Sequence, residues 1–313
     1  MLWGILLLAL ACAVVYAAWL CYRLVFYNRN MIEKDAYAIP PGEQYEKHAD
    51  RILSMIHEVE QLPYEQLYIT AADGVRLAAR YYEFNEGAPV QILFHGYRGN
   101  SVREYCGNDH MAKELGFNSI VVDERAHGKS GGHTISFGIM ERYDCLEWVR
   151  YACERFGKDT PIILSGVSMG AATVLMASEL DLPKNVSAII ADCPYSSPGA
   201  IIRKVCKNMR LPSVLLYPLV VLGALFFGRF RLWESSPVKA VKKTNIPILL
   251  IHGNDDRFVP SQMSEEIFKA CTGPKKLITV PGAGHGLSYM VDTPYYENSV
   301  RNFLKNCEIP IKK

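Results

Sequence analysis

The sequence predicts an α/β fold with a mostly parallel central sheet and helices on both faces of that sheet. Short apolar segments that read as buried strands alternate with longer segments that read as helices. Parallel strands need such crossovers, and their carboxyl ends then meet at one edge of the sheet, where functional loops lie. The strands are predicted at 90–95, 118–123, 161–166, 186–191, 246–252 and 276–280. The helices are predicted at 101–116, 138–157, 169–180, 261–271 and 294–306.

Length and composition exclude several classes of function. The chain has 313 residues, enough for one sizeable α/β domain with additional segments. Its formal net charge of +2 is too balanced to indicate nucleic-acid binding. It contains no Walker-type loop, dinucleotide-binding fingerprint or Cys/His metal spacing, so we predict no cofactor and no metal ion. The 9 cysteines are odd in number and scattered, which favours free thiols in a reducing compartment over a disulfide framework.

The N-terminal segment, residues 1–27, is predicted to be a single-pass membrane anchor. Residues 2–22 carry no charged side chain, and about 20 apolar residues suffice to cross a bilayer. Arg23, Arg29 and Lys34 follow this stretch and no basic residue precedes it, so the positive-inside rule places the rest of the chain in the cytoplasm. The rival interpretation is a cleaved signal peptide, but the small-residue segment 36–38 lies too far downstream to be a convincing cleavage site.

Residues 28–63 are predicted to connect the anchor to the main domain, 64–313. Within this connector, residues 43–61 have the pattern of an amphipathic helix. The main domain opens with a predicted hairpin, because alternating apolar residues at 66–70 and 75–84 flank an Asp73-Gly74 turn.

The most informative motif is the pentapeptide GVSMG at 166–170, which lies between an apolar strand and a helical segment. A serine at a sharp strand-to-helix turn is strained and exposed, and glycine two residues to either side lets the turn close without clashes. The helix N-terminus also favours negative charge beside the hydroxyl. A purely structural turn is the alternative. The motif resembles the nucleophile elbow of the α/β-hydrolase superfamily, which makes Ser168 the candidate nucleophile.

The resemblance covers about residues 64 to 307 and implies a base that follows the last strand. His285 lies in the flexible loop PGAGHG at 281–286, directly after the apolar segment 277–280. Members of the superfamily place the catalytic histidine in such a loop, in the chain order serine, acid, histidine. A neutral imidazole there would take the proton of the Ser168 hydroxyl. The other histidines are interpreted as structural or solvent-exposed; His127, for example, is predicted to organise its loop.

The acid is expected at the exit of the strand predicted at 246–252. The segment HGNDDRFVP, 252–260, resembles the acid-bearing loop of many bacterial members, and its pattern selects Asp256. A carboxylate there would orient the imidazole of His285 and stabilise its protonated form. The neighbouring Asp255 is one alternative. Asp192, at the end of the strand predicted at 186–191, is another, because some members carry the acid one strand earlier.

The resemblance also implies an oxyanion hole made of two backbone N–H groups. One comes from Tyr97, the residue after His95-Gly96 at the end of the first buried strand. The other comes from Met169, the residue after the candidate nucleophile. A single donor of this kind is typically worth about 3 kcal/mol of transition-state stabilisation. The alternative, that His95-Gly96 only allows a tight turn, is compatible with this role.

An insertion at about 193–244 interrupts the alternation where superfamily members often carry a lid. It contains a long apolar run, 211–228, but a second membrane crossing there would separate Ser168 from Asp256 and His285. We therefore predict a helical lid or an interfacial helix. Cations on both sides of the run suit an anionic membrane surface, although an ordinary lid helix with solvated edges fits equally well. These cations are Arg203, Lys204, Lys207, Arg210, Arg229, Arg231, Lys239, Lys242 and Lys243.

The sequence as a whole predicts a membrane-anchored serine hydrolase that acts on a small-molecule or lipid ester with a hydrophobic acyl group. A thioesterase would use the same machinery. A small aminopeptidase-like hydrolase is a further alternative, as is a non-catalytic binding protein with the same fold, although such proteins usually lose one member of the triad.

Overall fold

A computed structural model of the protein describes residues 2–29, 37 and 39–312. Its central sheet has the strand order β1-β2-β4-β3-β5-β6-β7-β8. β1 and β2 are antiparallel to their neighbours, and all other pairs are parallel, which confirms the predicted mostly parallel sheet. The strands are β1 (Glu65–Thr70), β2 (Arg76–Tyr82), β3 (Val90–Phe94), β4 (Asn118–Asp123), β5 (Ile162–Val167), β6 (Val186–Asp192), β7 (Ile248–Gly253) and β8 (Lys275–Val280).

Helices cover both faces of the sheet, also as predicted. Along the central strands, alternate side chains point to opposite faces. Ile162 and Leu164 of β5 join a core that includes Trp148 and Val174, whereas Ile163 joins a second core with side chains of the last helix. The helices are α1 (Leu2–Val25), α2 (Glu43–Glu46), α3 (Ala49–Glu60), α4 (Ser101–Tyr105), α5 (Asn108–Leu115), α6 (Glu141–Phe156), α7 (Met169–Ala177), α8 (Pro198–Asn208), α9 (Ser213–Gly223), a π-helix (Ala224–Gly228), α10 (Pro237–Ala240), α11 (Gln262–Ala270), α12 (Ser288–Val291) and α13 (Thr293–Asn306).

One predicted helix, 101–116, is wrong in detail because it is broken into α4 and α5. Gly107 interrupts it with a φ of +84°, a conformation that favours glycine. The Tyr289 ring also lies against this glycine, so a Cβ there would approach the ring to 2.3 Å. A residue with a Cβ would therefore not fit at this break.

The apolar run at 211–228 forms α9 and the π-helix, and α9 packs against the N-terminal helix α1. Gly223 allows this close approach, since a Cβ there would lie 2.6 Å from the carbonyl oxygen of Ala18. Small residues play this part where apolar helices meet in membranes. Among the described residues, α1 is the one helix long and apolar enough to cross a membrane, and it lies near the N-terminus.

The carboxyl end of α1 packs into the main domain. Phe26 is fully buried, with its ring edge-on to those of Phe137 and Phe230 at centroid distances of 5.8 and 5.2 Å. The Tyr22 hydroxyl hydrogen-bonds to Thr134 Oγ1 at 2.8 Å. Three residues named in the sequence analysis lie outside the described residues. They are Lys34, one of the cations that follow the predicted anchor, and Ala36 and Ala38 of the possible cleavage site.

Candidate active site

Ser168 lies in the turn that joins β5 to α7, with φ +55° and ψ −108°. Positive φ is costly for a residue with a Cβ and persists where the surroundings enforce it. The flanking glycines are part of that enforcement. A Cβ on Gly166 would lie 2.3 Å from the carbonyl carbon of Gly170, and one on Gly170 would lie 2.1 Å from the carbonyl oxygen of Phe94. The spacing of the GVSMG motif is therefore a steric requirement of this turn.

The structure brings Ser168, His285 and Asp256 together at the carboxyl edge of the sheet. His285 Nε2 lies 2.9 Å from Ser168 Oγ, and His285 Nδ1 lies 2.6 Å from Asp256 Oδ2. His285 reaches this position from the loop after β8, in which Gly282 and Gly286 both have positive φ. Since the carboxylate oxygen is an acceptor, Nδ1 carries the proton and Nε2 is left to accept from the serine hydroxyl.

Asp256 is held as a buried carboxylate. Its Oδ1 accepts hydrogen bonds from the backbone N–H groups of Phe258 at 2.9 Å and Val259 at 2.8 Å. Burial raises the pKa of this carboxyl, but the hydrogen bonds from His252, His285 and the backbone outweigh it, and the pKa falls to about 2. Asp256 is thus negatively charged opposite the imidazole of His285.

His252, which sequence reasoning left without a role, supports this carboxylate. It is fully buried at the end of β7, and its Nε2 lies 3.3 Å from Asp256 Oδ2 and 2.8 Å from the carbonyl oxygen of Val259. Both neighbours are acceptors, so Nε2 carries the proton. Its Nδ1 lies 2.6 Å from Ser264 Oγ. The motif His-Gly-x-x-Asp could have signalled this contact, because a tight turn places its first and fifth residues face to face.

The two alternative acids occupy different places. Asp255 is exposed, and its backbone N–H donates to the carbonyl oxygen of Ala283 at 2.9 Å. Asp192 is buried in the wall of the cavity beside Ser168. Burial raises the pKa of Asp192 to about 6, and the Ser288 hydroxyl donates to its Oδ1 at 3.5 Å. Asp256 is the acid whose carboxylate hydrogen-bonds to His285.

One predicted oxyanion donor follows the serine directly in the chain, and the other follows Gly96, which lies against the serine. Met169 is the first residue of α7, so its N–H has no acceptor within the helix. Tyr97 follows β3, and its N–H has no hydrogen bond to another group in the part of the chain that the structure describes. Gly96 lies against the serine, since a Cβ on it would be 3.6 Å from Ser168 Cβ.

Two neutral histidines fix the loop that carries Tyr97. His95 Nε2 accepts from the Glu124 N–H at 3.0 Å, and His127 Nε2 accepts from the Arg98 N–H at 3.1 Å. Burial lowers the pKa of His95 to about 4 and that of His127 to about 3, so both stay uncharged and can accept. The role of loop organiser predicted for His127 is confirmed by this contact.

A cavity of about 450 Å³ opens beside Ser168. Its lining comes from the Tyr97 loop, from the segment around His285 and, unexpectedly, from the connector. None of the described residues that line it belongs to the insertion at 193–244, where a lid was one of the two predictions. The connector contributes Pro40, Pro41, Gln44, Tyr45 and Ile52.

The connector is also hydrogen-bonded to the loop that carries His285. The Tyr45 hydroxyl donates to the carbonyl oxygen of His285 at 2.8 Å. Gln44 packs so closely against Gly284 that a Cβ on this glycine would lie 2.0 Å from Gln44 Oε1. The connector therefore forms a cap over the candidate site.

One trio of groups among the described residues has the proximity of metal ligands. Cys193 Sγ, an oxygen of Asp256 and a nitrogen of His285 all lie within 4.8 Å of one another. Burial raises the pKa of the Cys193 thiol well above its ordinary value, and metals bind the thiolate. The Asp256 and His285 atoms are already hydrogen-bonded to each other. The trio is a poor ligand set.

Comparison with known proteins agrees with the observed fold. A family model described as alpha/beta hydrolase fold matches residues 89–217, and one described as TAP-like protein matches residues 231–313. An esterase of Pyrococcus furiosus has a similar fold, with a TM-score of 0.64 and 22% identity over 86% of this chain and 96% of its own. The chain belongs to the α/β-hydrolase superfamily.

Bacterial proteins are among the relatives of this hydrolase. YqkD of Bacillus subtilis is 29% identical over 248 residues, which is 79% of this chain and 81% of YqkD. YfhR of Escherichia coli is 27% identical over 227 residues, 71% of this chain and 73% of YfhR. The matches extend well beyond the serine motif, so the likeness concerns most of the hydrolase.

Proposed function

We propose that the protein is a membrane-anchored serine hydrolase that cleaves a carboxylic ester with a hydrophobic acyl group through an acyl-enzyme on Ser168. The observation that carries this proposal is the unbroken hydrogen-bond chain from Asp256 through His285 to the strained Ser168, with distances of 2.6 and 2.9 Å. A nucleophile, a base and a group that orients the base, each within hydrogen-bond reach, are what acyl transfer requires.

In the proposed reaction, His285 Nε2 takes the hydroxyl proton as Ser168 Oγ attacks the ester carbonyl carbon. Asp256 stabilises the imidazolium that forms. The oxygen of the tetrahedral intermediate accepts from the N–H groups of Tyr97 and Met169. The bond to the leaving alcohol then breaks, and the imidazolium protonates that alcohol. Water attacks the acyl-enzyme with His285 again as base, which releases the acid and restores the serine.

The cavity supports a substrate with an apolar part. Apolar side chains from the connector, from the Asp256 loop and from the His285 segment line it, including Ile52, Phe258, Leu287 and Met290. Sites of this volume with a few polar groups bury most of a small ligand. The same machinery would cleave a thioester or an aminoacyl amide, so an assay with all three substrate classes must identify the leaving group.

Labelling with a fluorophosphonate probe tests the proposal. We expect the full-length protein in detergent to be labelled on Ser168 and to hydrolyse p-nitrophenyl esters. Ser168→Ala should lose labelling and at least about 10³-fold in kcat, with its melting temperature retained, because the nucleophile is gone. A panel of acyl oxyesters, acyl thioesters and aminoacyl amides would rank the substrates. No labelling, with full folding, would favour a non-catalytic binding protein.

The membrane part of the proposal rests on α1. The helix is apolar over most of its length, and the cations Arg23 near its end and Arg29 after it favour a cytoplasmic catalytic domain. Cleavage of a signal peptide at 36–38 would remove the fully buried Phe26 and the Tyr22–Thr134 hydrogen bond from the domain. An uncleaved anchor is therefore proposed.

The insertion is proposed to lie in the membrane interface beside the anchor. It packs on α1 through Gly223, and it exposes Val214 and Leu215 to 84% and 69%. Apolar exposure of this kind, continuous with a membrane helix and bordered by cations, fits an anionic leaflet. This placement leaves the connector as the cap of the active site.

A further inference from the structure

The carboxyl end of the membrane helix is bonded directly to the loop that carries the proposed oxyanion donor. The Tyr97 hydroxyl donates to the carbonyl oxygen of Val25 at 2.8 Å. The Arg98 guanidinium donates through one nitrogen to the carbonyl oxygens of Leu24 at 2.9 Å and Tyr27 at 3.2 Å. Two consecutive side chains of one active-site loop thus hold the last turn of α1 and the residues that follow it.

These bonds have a physical reason on the helix side. The last carbonyl groups of a helix lack partners within the helix, and a cation near them is favoured by the helix dipole. The next carbonyl, that of Phe26, accepts from the Ile135 N–H at 2.8 Å. The end of α1 is therefore satisfied by groups of the hydrolase domain.

The bonds matter equally on the loop side. Arg98 adopts a φ of +50°, so the loop backbone is held in a strained conformation directly after Tyr97. The Tyr97 ring stacks on Phe137 at 5.0 Å, and His127 holds the Arg98 N–H. The Gly99 N–H also donates to the carbonyl oxygen of Gly96 across the loop at 2.9 Å. The anchor adds a further restraint, because it accepts hydrogen bonds from the polar ends of the Tyr97 and Arg98 side chains.

We infer that the hydrogen bonds from Tyr97 and Arg98 to the end of the membrane helix position the oxyanion loop, so that turnover depends on these bonds. The inference rests on the proposed function, in which the Tyr97 N–H stabilises the oxyanion. Tyr97 and Arg98 act here through their side chains as positioning residues. The anchor then serves the chemistry as well as attachment to the bilayer, and displacement of the helix end would weaken catalysis at an intact Asp256-His285-Ser168 triad.

Tyr97→Phe is the sharpest test, because it keeps the ring stacking and the backbone N–H and removes the bond to Val25 alone. In full-length protein reconstituted in liposomes, we expect kcat to fall about 10-fold with KM nearly unchanged, short of the roughly 10²–10³-fold typical of losing an oxyanion donor. Tyr97→Phe/Arg98→Met, which also removes the bonds to Leu24 and Tyr27, should fall further. Affinity for a trifluoromethyl ketone, whose adduct places an oxyanion in the hole, should fall in parallel with kcat.

Tyr22→Phe is the matched control. It removes a tyrosine hydroxyl hydrogen bond of the same length, to the Thr134 hydroxyl, from the same end of α1, but it does not touch the oxyanion loop. We expect a similar melting temperature to that of Tyr97→Phe with wild-type kcat and inhibitor affinity. Equal kcat losses in Tyr22→Phe and Tyr97→Phe would overturn the inference in favour of general destabilisation, and so would wild-type kcat and inhibitor affinity in the double variant. If Ser168→Ala kept full activity, the proposed function itself would fail instead.

Discussion

Four hydrogen-bond donors converge on the carboxylate of Asp256: two backbone N–H groups and the imidazoles of His252 and His285. Hydrogen bonds to the charged form lower a pKa, and here they overcome the effect of burial, so that the pKa is about 2. The carboxylate therefore stays ionised through the whole neutral and mildly acidic range. Its contribution to folding stability is present above the ordinary value of about 3.9 and is lost as the pH falls through about 2.

Asp256→Asn tests which acid serves His285. An amide of the same shape cannot stabilise the imidazolium and disturbs the choice of tautomer, so kcat for a p-nitrophenyl ester should fall by about 10³–10⁴. Asp255→Asn changes an exposed neighbour and should stay within about twofold of wild type. The reverse ranking would assign the role to Asp255.

Asp192 makes the opposite electrostatic prediction. Burial raises the pKa of Asp192 to about 6, so its protonated form is favoured in the folded state. The stability it contributes is present below about 3.9 and is lost as the pH rises through about 6. Relative to wild type, Asp192→Asn should therefore gain about 2 kcal/mol in free energy of unfolding between pH 4 and pH 7. Urea unfolding at both values checks this.

Asp255→Asn, which makes the same change at an exposed position, is the control for that measurement. A flat difference between Asp192→Asn and wild type across this pH range would mean that Asp192 is ionised in the folded protein. A loss of kcat as large as that of Asp256→Asn would instead make Asp192 part of the catalytic acid system.

At the level of elements, the sheet was predictable because its signals are local. Apolar runs bounded by turns predicted each parallel strand to within two residues of the observed ends. The GVSMG turn was equally predictable, since its glycines avoid steric clashes within one strand-turn-helix unit and with the neighbouring strand. The helix break was not predicted, because Gly107 has a positive φ and lies against the ring of Tyr289, and the local sequence pattern reveals neither feature.

The cap over the site could not be predicted for the same reason. The connector reads as an amphipathic helix, and amphipathicity says that it packs without saying on what. Its docking depends on the Tyr45–His285 hydrogen bond and on the close contact of Gln44 with Gly284. A single sequence holds no record of such pairs. A lid was predicted in the insertion instead, because its apolar run is visible in the sequence.

Ile52→Ala tests whether the connector walls the acyl site. Ile52 is 7% exposed and lines the cavity, so truncation should enlarge the cavity and move the preferred acyl chain by about two carbons. Ile201 in the insertion is a matched control, since it is 3% exposed and absent from the cavity lining. Both variants should lose stability, by about 2–5 kcal/mol. kcat/KM across p-nitrophenyl esters of graded length would separate them, and a shifted optimum in Ile201→Ala alone would favour the insertion.

At the scale of the whole molecule, the N-terminal helix and the connector each contact a loop of the candidate active site. The end of α1 meets the Tyr97 loop, and the connector meets the His285 loop. The sequence indicated an anchor followed by a spacer, because helix length and charge asymmetry are properties of composition. Both parts also hold loops of the candidate site. They do so through individual hydrogen bonds between residues far apart in the sequence, which only the folded structure reveals.

The same architecture predicts how the hydrolase lies at the bilayer. α9 packs along α1, so an embedded anchor brings the exposed Val214 and Leu215 to the lipid boundary. An environment-sensitive fluorescent amino acid at position 214 should shift to the blue in anionic liposomes and be quenched by spin-labelled lipids. The same label at the exposed Lys158, in the loop between α6 and β5, should show neither effect. Equal solvent exposure at both positions would mean that α1 alone contacts the membrane and that the insertion faces water.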